Sequence, residues 1–329
     1  MNRSSTYSAL LNNTRGMLLT AITGILILLS PIHSSAQNTG LDLLTIGPSA
    51  RALSLNGAVT AEQLGASNLY TNPANLALEN SSSLNAAYTL WIGDLNHTHA
   101  AINFKKGNRG FAFGFIGAQD DDIVLRTKAG PPEGSFAISL LSLSAGYAYQ
   151  LGPIAIGGSL QYLREEYYIH NASGYTTNFG AATQLWDKRL QLGMSLLNLG
   201  KMDELINQST SLPTNLQAGF NAELLTFTAP ENKNLPITVS LKNNWVVPVK
   251  TTNTSSQGEA EREPYTNIAV EFDIAETILL HSGYKTGDTV RHWTAGAGVK
   301  VGSIVANYAL IPFETGFGTV HSLGVSYQF

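Results

Sequence analysis

Few residue sets in this chain have the types and spacing that chemistry needs. Glu165 and Glu166 are adjacent carboxylates, but neighbours on a strand point to opposite faces, so they cannot share a proton as an acid/base pair. His97 and His99 would share a strand face, and two imidazoles so placed can grip a metal ion. A lumen-facing or solvated pair needs no metal, and that is the reading adopted here. Asp120-Asp121-Asp122 could attract calcium, yet the run lacks the alternating ligand positions of a calcium loop and reads as an acidic external loop tip. The sequon Asn171-Ala172-Ser173 is short enough to occur by chance. No G-x-S-x-G, Walker or dinucleotide fingerprint is present. Catalytic, cofactor-binding and metal-binding residues are therefore all expected to be none, and the protein is expected not to be an enzyme.

Composition narrows the class. Charged residues make up 13% of the 329 residues, the formal net charge is −4 and there is no cysteine. Disulfides, Cys-based zinc sites and a lipidated cysteine are excluded, and no nucleic-acid footprint is visible. A mean hydropathy of +0.01 is too polar for a bundle of transmembrane helices. It suits strands whose alternate residues meet lipid and water. Residues 1–36 read as a secretory signal peptide, with Arg3 and Arg15 before an apolar stretch from Met17 to Leu29, then Pro31 and the small residues Ser34-Ser35-Ala36. Cleavage is expected after Ala36. The apolar stretch is shorter than the roughly 20 residues that a helical span needs.

These residues must be positioned by strands. From Ser82 onward, short alternating segments are broken by turn residues. Leu323, Val325, Tyr327 and Phe329 fall on one face, opposite Ser322, Gly324, Ser326 and Gln328, while Phe111, Phe113 and Phe115 form another such face. About fourteen segments of this kind can be placed, an even number that suits a bacterial barrel with both ends in the periplasm. Connections alternate as such a barrel requires. Lys105–Arg109, Leu151-Gly152, Asp187-Lys188 and Ala275-Glu276 are short, whereas 119–135, 199–212 and 249–264 are long and polar. The connection Phe227–Asn234 is longer than a periplasmic turn should be. Tyr88, Trp91, Tyr167, Tyr168, Trp186 and Trp245 gather near strand ends, as an aromatic girdle would. Residues 37–80 are Ala-, Leu- and Asn-rich, and Pro48 and Pro73 could each open a short helix. The fold expected is all-β: a transmembrane antiparallel β-barrel over 81–329 with an N-terminal lumenal plug over 37–80.

Several stretches resemble a known family. Ile46-Gly47-Pro48-Ser49-Ala50-Arg51-Ala52, followed by Asn72-Pro73-Ala74, resembles the mature N-terminus of the PorV/PorQ-like outer membrane proteins. These belong to the wider grouping of fatty-acid-transporter-type barrels, whose plug carries an Asn-Pro-Ala triplet. Leu192 through Gly200 resembles the family's LGLSxxNLG strand. Gly283-Tyr284-Lys285, Ala295 through Lys300, and Tyr308-Ala309 through His321-Ser322-Leu323 resemble its closing hairpins. The chain departs from the pattern at Leu55-Asn56-Gly57, at Thr71 in place of a Trp, and around Gly65-Ala66-Ser67, where paired acids are missing.

The resemblance implies a non-enzymatic outer membrane barrel of Bacteroidota acting in type IX secretion. It would bind or shuttle cargo proteins that carry a C-terminal signal domain, through the loops 119–135, 199–212 and 249–264. Expected partners are outer membrane lipid, secretion components and cargo, with no nucleic acid and no cofactor. The alternative is a fatty-acid-transporter-like channel for small hydrophobic molecules, gated by the plug motif Asn72, Pro73 and Ala74. Gly114 and Gly117 are its candidate lateral-opening positions. Gly47, Ala50 and Arg51 are the N-terminal motif residues, and the C-terminal Phe329 is the expected insertion signal.

Overall fold

The structure, a computed structural model, describes residues 41–329 apart from 127, 129, 206, 207, 230, 231, 250–262 and 315. The signal peptide, its cleavage after Ala36 and most of the connection at 249–264 lie outside the described residues.

Alternation of apolar and small or polar residues makes two-faced strands, and fourteen of them close into one barrel. The first seven are β1 (Ser83–Leu90), β2 (Asn96–Lys106), β3 (Arg109–Leu125), β4 (Gly134–Leu151), β5 (Ile154–Tyr167), β6 (His170–Leu185) and β7 (Leu190–Met202). A small hairpin outside the barrel follows, β8 (Glu204–Leu205) with β9 (Gln208–Ser209). The barrel resumes with β10 (Asn215–Ala229), β11 (Asn232–Pro248), β12 (Tyr265–Ile274), β13 (Ile278–Lys285), β14 (Trp293–Val301), β15 (Ile304–Pro312) and β16 (Thr319–Gln328). Every neighbour is antiparallel, and β1 seals against β16 from Ser83 opposite Gln328 to Leu90 opposite His321. Closure leaves no unpaired edge, the condition for sheet to exist in hydrocarbon.

The even-numbered barrel strands up to β6, and then β10, β12 and β14, each lead into the next through two to four residues. At 275–276 the tight turn places Ala275 and Glu276 at φ 54° and 53°, the paired left-handed conformation of a type I′ hairpin. The opposite end carries the longer connections, apart from the two residues Tyr168-Ile169 between β5 and β6, and this makes it the external end. The connection read as Phe227–Asn234 is only 230–231, because β10 and β11 extend further than their pattern suggested. β3 likewise continues to Leu125, through an irregularity between Asp120 and Ile123. Asp120 and Asp121 therefore lie in a strand and not at a loop tip.

Leu84, Tyr88, Leu160, Phe179, Trp245 and Val325 stand exposed on the outer, lipid-facing wall. Trp186 is exposed at a periplasmic turn, whereas Trp91 packs its ring edge-on to Phe313, 5.9 Å between centroids. The inner wall is mostly small and polar, with apolar patches at Leu140, Leu163, Ile311 and Val320, and the core lies between it and residues 41–82. Leu69, Ala74, Leu76 and Ala77 of that segment bury against Ala112, Ala148, Ala155 and Ala182 of β3–β6. The segment is built from a short helix, Ala50–Ser54, and 3₁₀ turns at Asp42–Thr45, Gly65–Leu69 and Pro73–Ala77. Two glycines of the wall let its backbone come close. A Cβ on Gly157 would lie 2.6 Å from the carbonyl carbon of Pro73, and one on Gly180 would lie 1.9 Å from Asn72 Oδ1.

Candidate functional site

Of the N-terminal motif, Ala50 and Arg51 begin the helix Ala50–Ser54. Ser49 caps it, its Oγ accepting from Ala52 N at 3.3 Å. Gly47 lies just before the cap, with room for a Cβ no closer than 3.3 Å to Ala52 and Leu53. Arg51 points from the plug to the wall. Its Nη2 is 2.9 Å from Glu62 Oε1 and 2.8 Å from Glu271 Oε2 on β12. Lys242 of β11 bonds Glu62 through Nζ and stands 3.5 Å from Glu271 Oε1. His281 of β13 reaches Glu271 Oε2 at 3.0 Å, and its Nδ1 lies 3.2 Å from Ser54 Oγ. Asn221 of β10 donates to Glu62 Oε2 at 3.0 Å. Two cations and two carboxylates thus balance in a buried cluster that ties plug to barrel. Burial works against the charge on Arg51, but Glu271 and Glu62 more than offset it and hold the guanidinium protonated.

Asn72-Pro73-Ala74 forms a second tie. Asn72 caps the turn Pro73–Ala77, accepting from Ala74 N at 3.2 Å, with proline at its first position. The same side chain donates to Thr60 O at 2.8 Å and to Ala181 O of β6 at 3.2 Å. One asparagine therefore closes a turn, crosses the plug and grips the wall.

The remaining sequence candidates are dispersed. Gly114 faces the lumen, where a Cβ would lie 2.5 Å from the Tyr70 hydroxyl; Gly117 faces outward, beside the ring of Phe115. β3 is paired on both sides at these positions. Glu165 lines the external mouth, while Glu166 faces outward and pairs with Arg164 at 2.8 Å. His97 and His99 are buried on the lumen face, with His99 edge-on to Tyr70 at 5.4 Å. Among the described residues, no three His, Cys, Asp or Glu side chains gather as a metal site would need. Phe329 is exposed beyond β16 and stacks on Tyr327 at 5.9 Å.

Cavities lie on both faces of the helix Ala50–Ser54. On the external side, a cavity open to solvent is walled by Leu44, Ile46, Ala52, Leu53 and Val59 of the plug and by Val246, Asn244, Asn267 and Ile311 of the barrel, among others. A mouth lined by Leu41, Leu43, Trp91, Tyr265 and Arg291 stands above it. On the periplasmic side, a second open cavity is lined by Ala50, Arg51 and Glu79 and by Leu279, Val305 and Asn307, among others. Arg51 and its partners stand between the two. Lys242, Glu271 and His281 were missed by sequence reasoning, although each falls on the polar face of its strand.

No protein-family model matches the chain, and no curated protein matches it in sequence. Solved structures do match in fold. The Ralstonia pickettii toluene transporter TbuX superposes with a TM-score of 0.54 at 13% identity, over 86% of this chain and 98% of its own. The P. putida toluene transporter TodX gives 0.53 at 10% identity, over 86% and 99%. A TodX variant described as a monoaromatic hydrocarbon channel gives 0.54 at 11%, over 86% and 99%. These matches overturn the PorV/PorQ-like resemblance, and with it type IX secretion, its cargo and a Bacteroidota source. The reason is physical. The motifs that suggested that family serve the packing of plug in barrel here: Asn72 caps and bridges, and the wall glycines lie where the plug backbone touches them. They mark the architecture and do not single out one branch of it.

Proposed function

We propose that the chain is a non-catalytic outer membrane channel for small hydrophobic molecules. The observation that carries this reading is the pair of cavities separated by the helix Ala50–Ser54, the external one bringing Leu44, Ile46, Leu53, Val59, Val246 and Ile311 together with a comparable share of polar side chains such as Asn198, Asn215 and Asn244. A molecule that settles in the external cavity has only a short helix and its ion-pair tie between it and the periplasmic side. The toluene transporters that share the fold support the choice of an apolar cargo. Asn72, Pro73 and Ala74 belong to the gate in this proposal, since they fix the turn that braces the plug against β5 and β6. Displacement of Tyr70 would uncover the wall at Gly114 and offer a sideways exit there, with Gly117 on the outer face of the same strand. Export through a signal peptide cleaved after Ala36, a plug over 37–80, a barrel over 81–329 and insertion read from Phe329 complete the proposal. Lipid is the partner of the outer wall.

The test is uptake of radiolabelled toluene and 4-methylphenol by cells that depend on this protein for them. Expression should accelerate uptake, and Pro73→Ser should reduce it without lowering the amount of folded barrel. Uptake independent of expression would sink the proposal.

A further inference from the structure

We infer that the molecule taken by the external cavity is uncharged and amphipathic, an apolar body with a hydrogen-bonding head, and not a bare hydrocarbon. This rests on the channel reading above. The wall formed by β10–β12 is graded along the barrel axis. Nearest the mouth, Val246 stands between Tyr265 and Gln217; one inward step deeper, Asn244 stands opposite Asn267 and bonds Gln217; deeper still come Lys242 and Glu271 with their plug partners. On this side the cavity therefore sets amides beside its apolar residues, above the charges.

Those amides are not fully occupied by the protein's own bonds. Asn244 donates to Gly57 O at 3.1 Å and to Gln217 Oε1 at 3.0 Å, and accepts from Thr60 Oγ1 at 2.6 Å. Asn267 lines the cavity and is 4% exposed; its Oδ1 is enclosed and has no hydrogen-bond partner among the described residues, so a turn of the side chain is needed to bring it to a ligand. A buried amide oxygen without a partner is uncommon and calls for a donor. A hydroxyl supplies one, and because it can also accept, it fits whichever way the amide is turned.

A charged head has no comparable place. At the mouth, Lys285 is 3.1 Å from Asp288 and lies over the Tyr265 ring, while Arg291 lies over Trp91 with Asp288 at 4.0 Å. Below the amides, Arg51 and Lys242 are already matched by Glu62 and Glu271. An anion would compete with Asp288 for Lys285 and Arg291 at the mouth, and below the amides it would have to break a matched pair. A hydrocarbon of the same shape would leave the Asn267 oxygen bare, and a site built to bond a hydroxyl discriminates strongly against the analogue that lacks it.

The test uses three matched probes, 4-methylphenol, toluene and 4-methylbenzoate, with the full-length protein in detergent. Binding is read by ligand-observed NMR and corrected for partition into empty micelles. The phenol should bind roughly tenfold or more tighter than either of the others. Asn267→Leu should bring the phenol down to the level of toluene, and Asn267→Thr, which keeps a hydroxyl, should retain part of the preference. Toluene binding as well as the phenol, with no change in Asn267→Leu, would overturn the inference and leave the channel reading standing. Tightest binding of the benzoate would also overturn it. If no probe bound, the channel reading would fall and take the inference with it.

Discussion

Nη2 of Arg51 in the plug lies 2.8 Å from Oε2 of Glu271 on the barrel wall. Glu62 and Lys242 complete the group, so removing one member leaves a buried charge unmatched. Breaking a buried pair in this way costs about 3–5 kcal/mol, and here the cost falls on plug docking, because no strand pairing depends on Arg51. Arg51→Met should therefore raise single-channel conductance in planar bilayers while the barrel keeps its heat-resistant migration in detergent gels. Conductance equal to that of the wild type would show that the plug is held by other contacts.

Gly157 and Gly158 are neighbours on β5 with opposite duties. A Cβ on Gly157 meets the Pro73–Ala74 backbone at 2.6–2.7 Å, whereas one on Gly158 finds nothing nearer than Asn178 O at 3.5 Å. Gly157→Ala should displace the turn Pro73–Ala77 at a cost of about 1–3 kcal/mol. Gly158→Ala should be close to neutral. Protease sensitivity of the plug in the folded barrel separates the two, and equal sensitivity would mean that the plug does not need that approach.

Much of the barrel was legible because lipid imposes a period of two on every strand it touches. Leu323, Val325 and Tyr327 keep that period and were placed correctly. The upper part of β3 was not legible: Asp120 and Asp121 break the alternation, and the ladder is irregular between Asp120 and Ile123. Lys242, Glu271 and His281 each sit in phase on a polar face, yet nothing local says that they converge on Arg51 and Glu62. That depends on the order in which β11–β13 close around the plug, which is set by the pairing of whole strands.

Glu79 makes plug docking depend on pH. Burial pushes its carboxyl up to about 7, helped by nearby Glu62, against hydrogen bonds from Gly65 N and the Asn68 side chain. Its ordinary value is 4.5, so between these two values the docked plug binds a proton that a released plug does not. Docking is then favoured at low pH, weakens as pH rises through that window, and is flat above it. The full difference is about 3 kcal/mol. Hydrogen-exchange protection factors of the Gly65 and Ala66 amides, each referred to its intrinsic rate, should fall from pH 5 to pH 8. Glu79→Gln should remove most of the fall, and a wild-type profile with no pH dependence would refute the assignment.

Asn72 offers a sharper test of the second tie, because its two ends do different work. Oδ1 caps the turn Pro73–Ala77, and Nδ2 donates to Thr60 O and Ala181 O. Asn72→Asp keeps the cap but turns both donors into an acceptor facing two carbonyls. Asn72→Ser keeps a shorter cap and leaves the carbonyls merely unpartnered. Losing a cap costs about 1 kcal/mol, and stranding buried polar groups costs about 1–3 kcal/mol, more where charge is involved. The aspartate variant should therefore loosen the plug more than the serine variant, although it is the closer in shape. Comparing plug protease sensitivity of the two at pH 8 decides the matter: a more sensitive serine variant would mean that capping dominates and that the bridge from Thr60 to β6 contributes little.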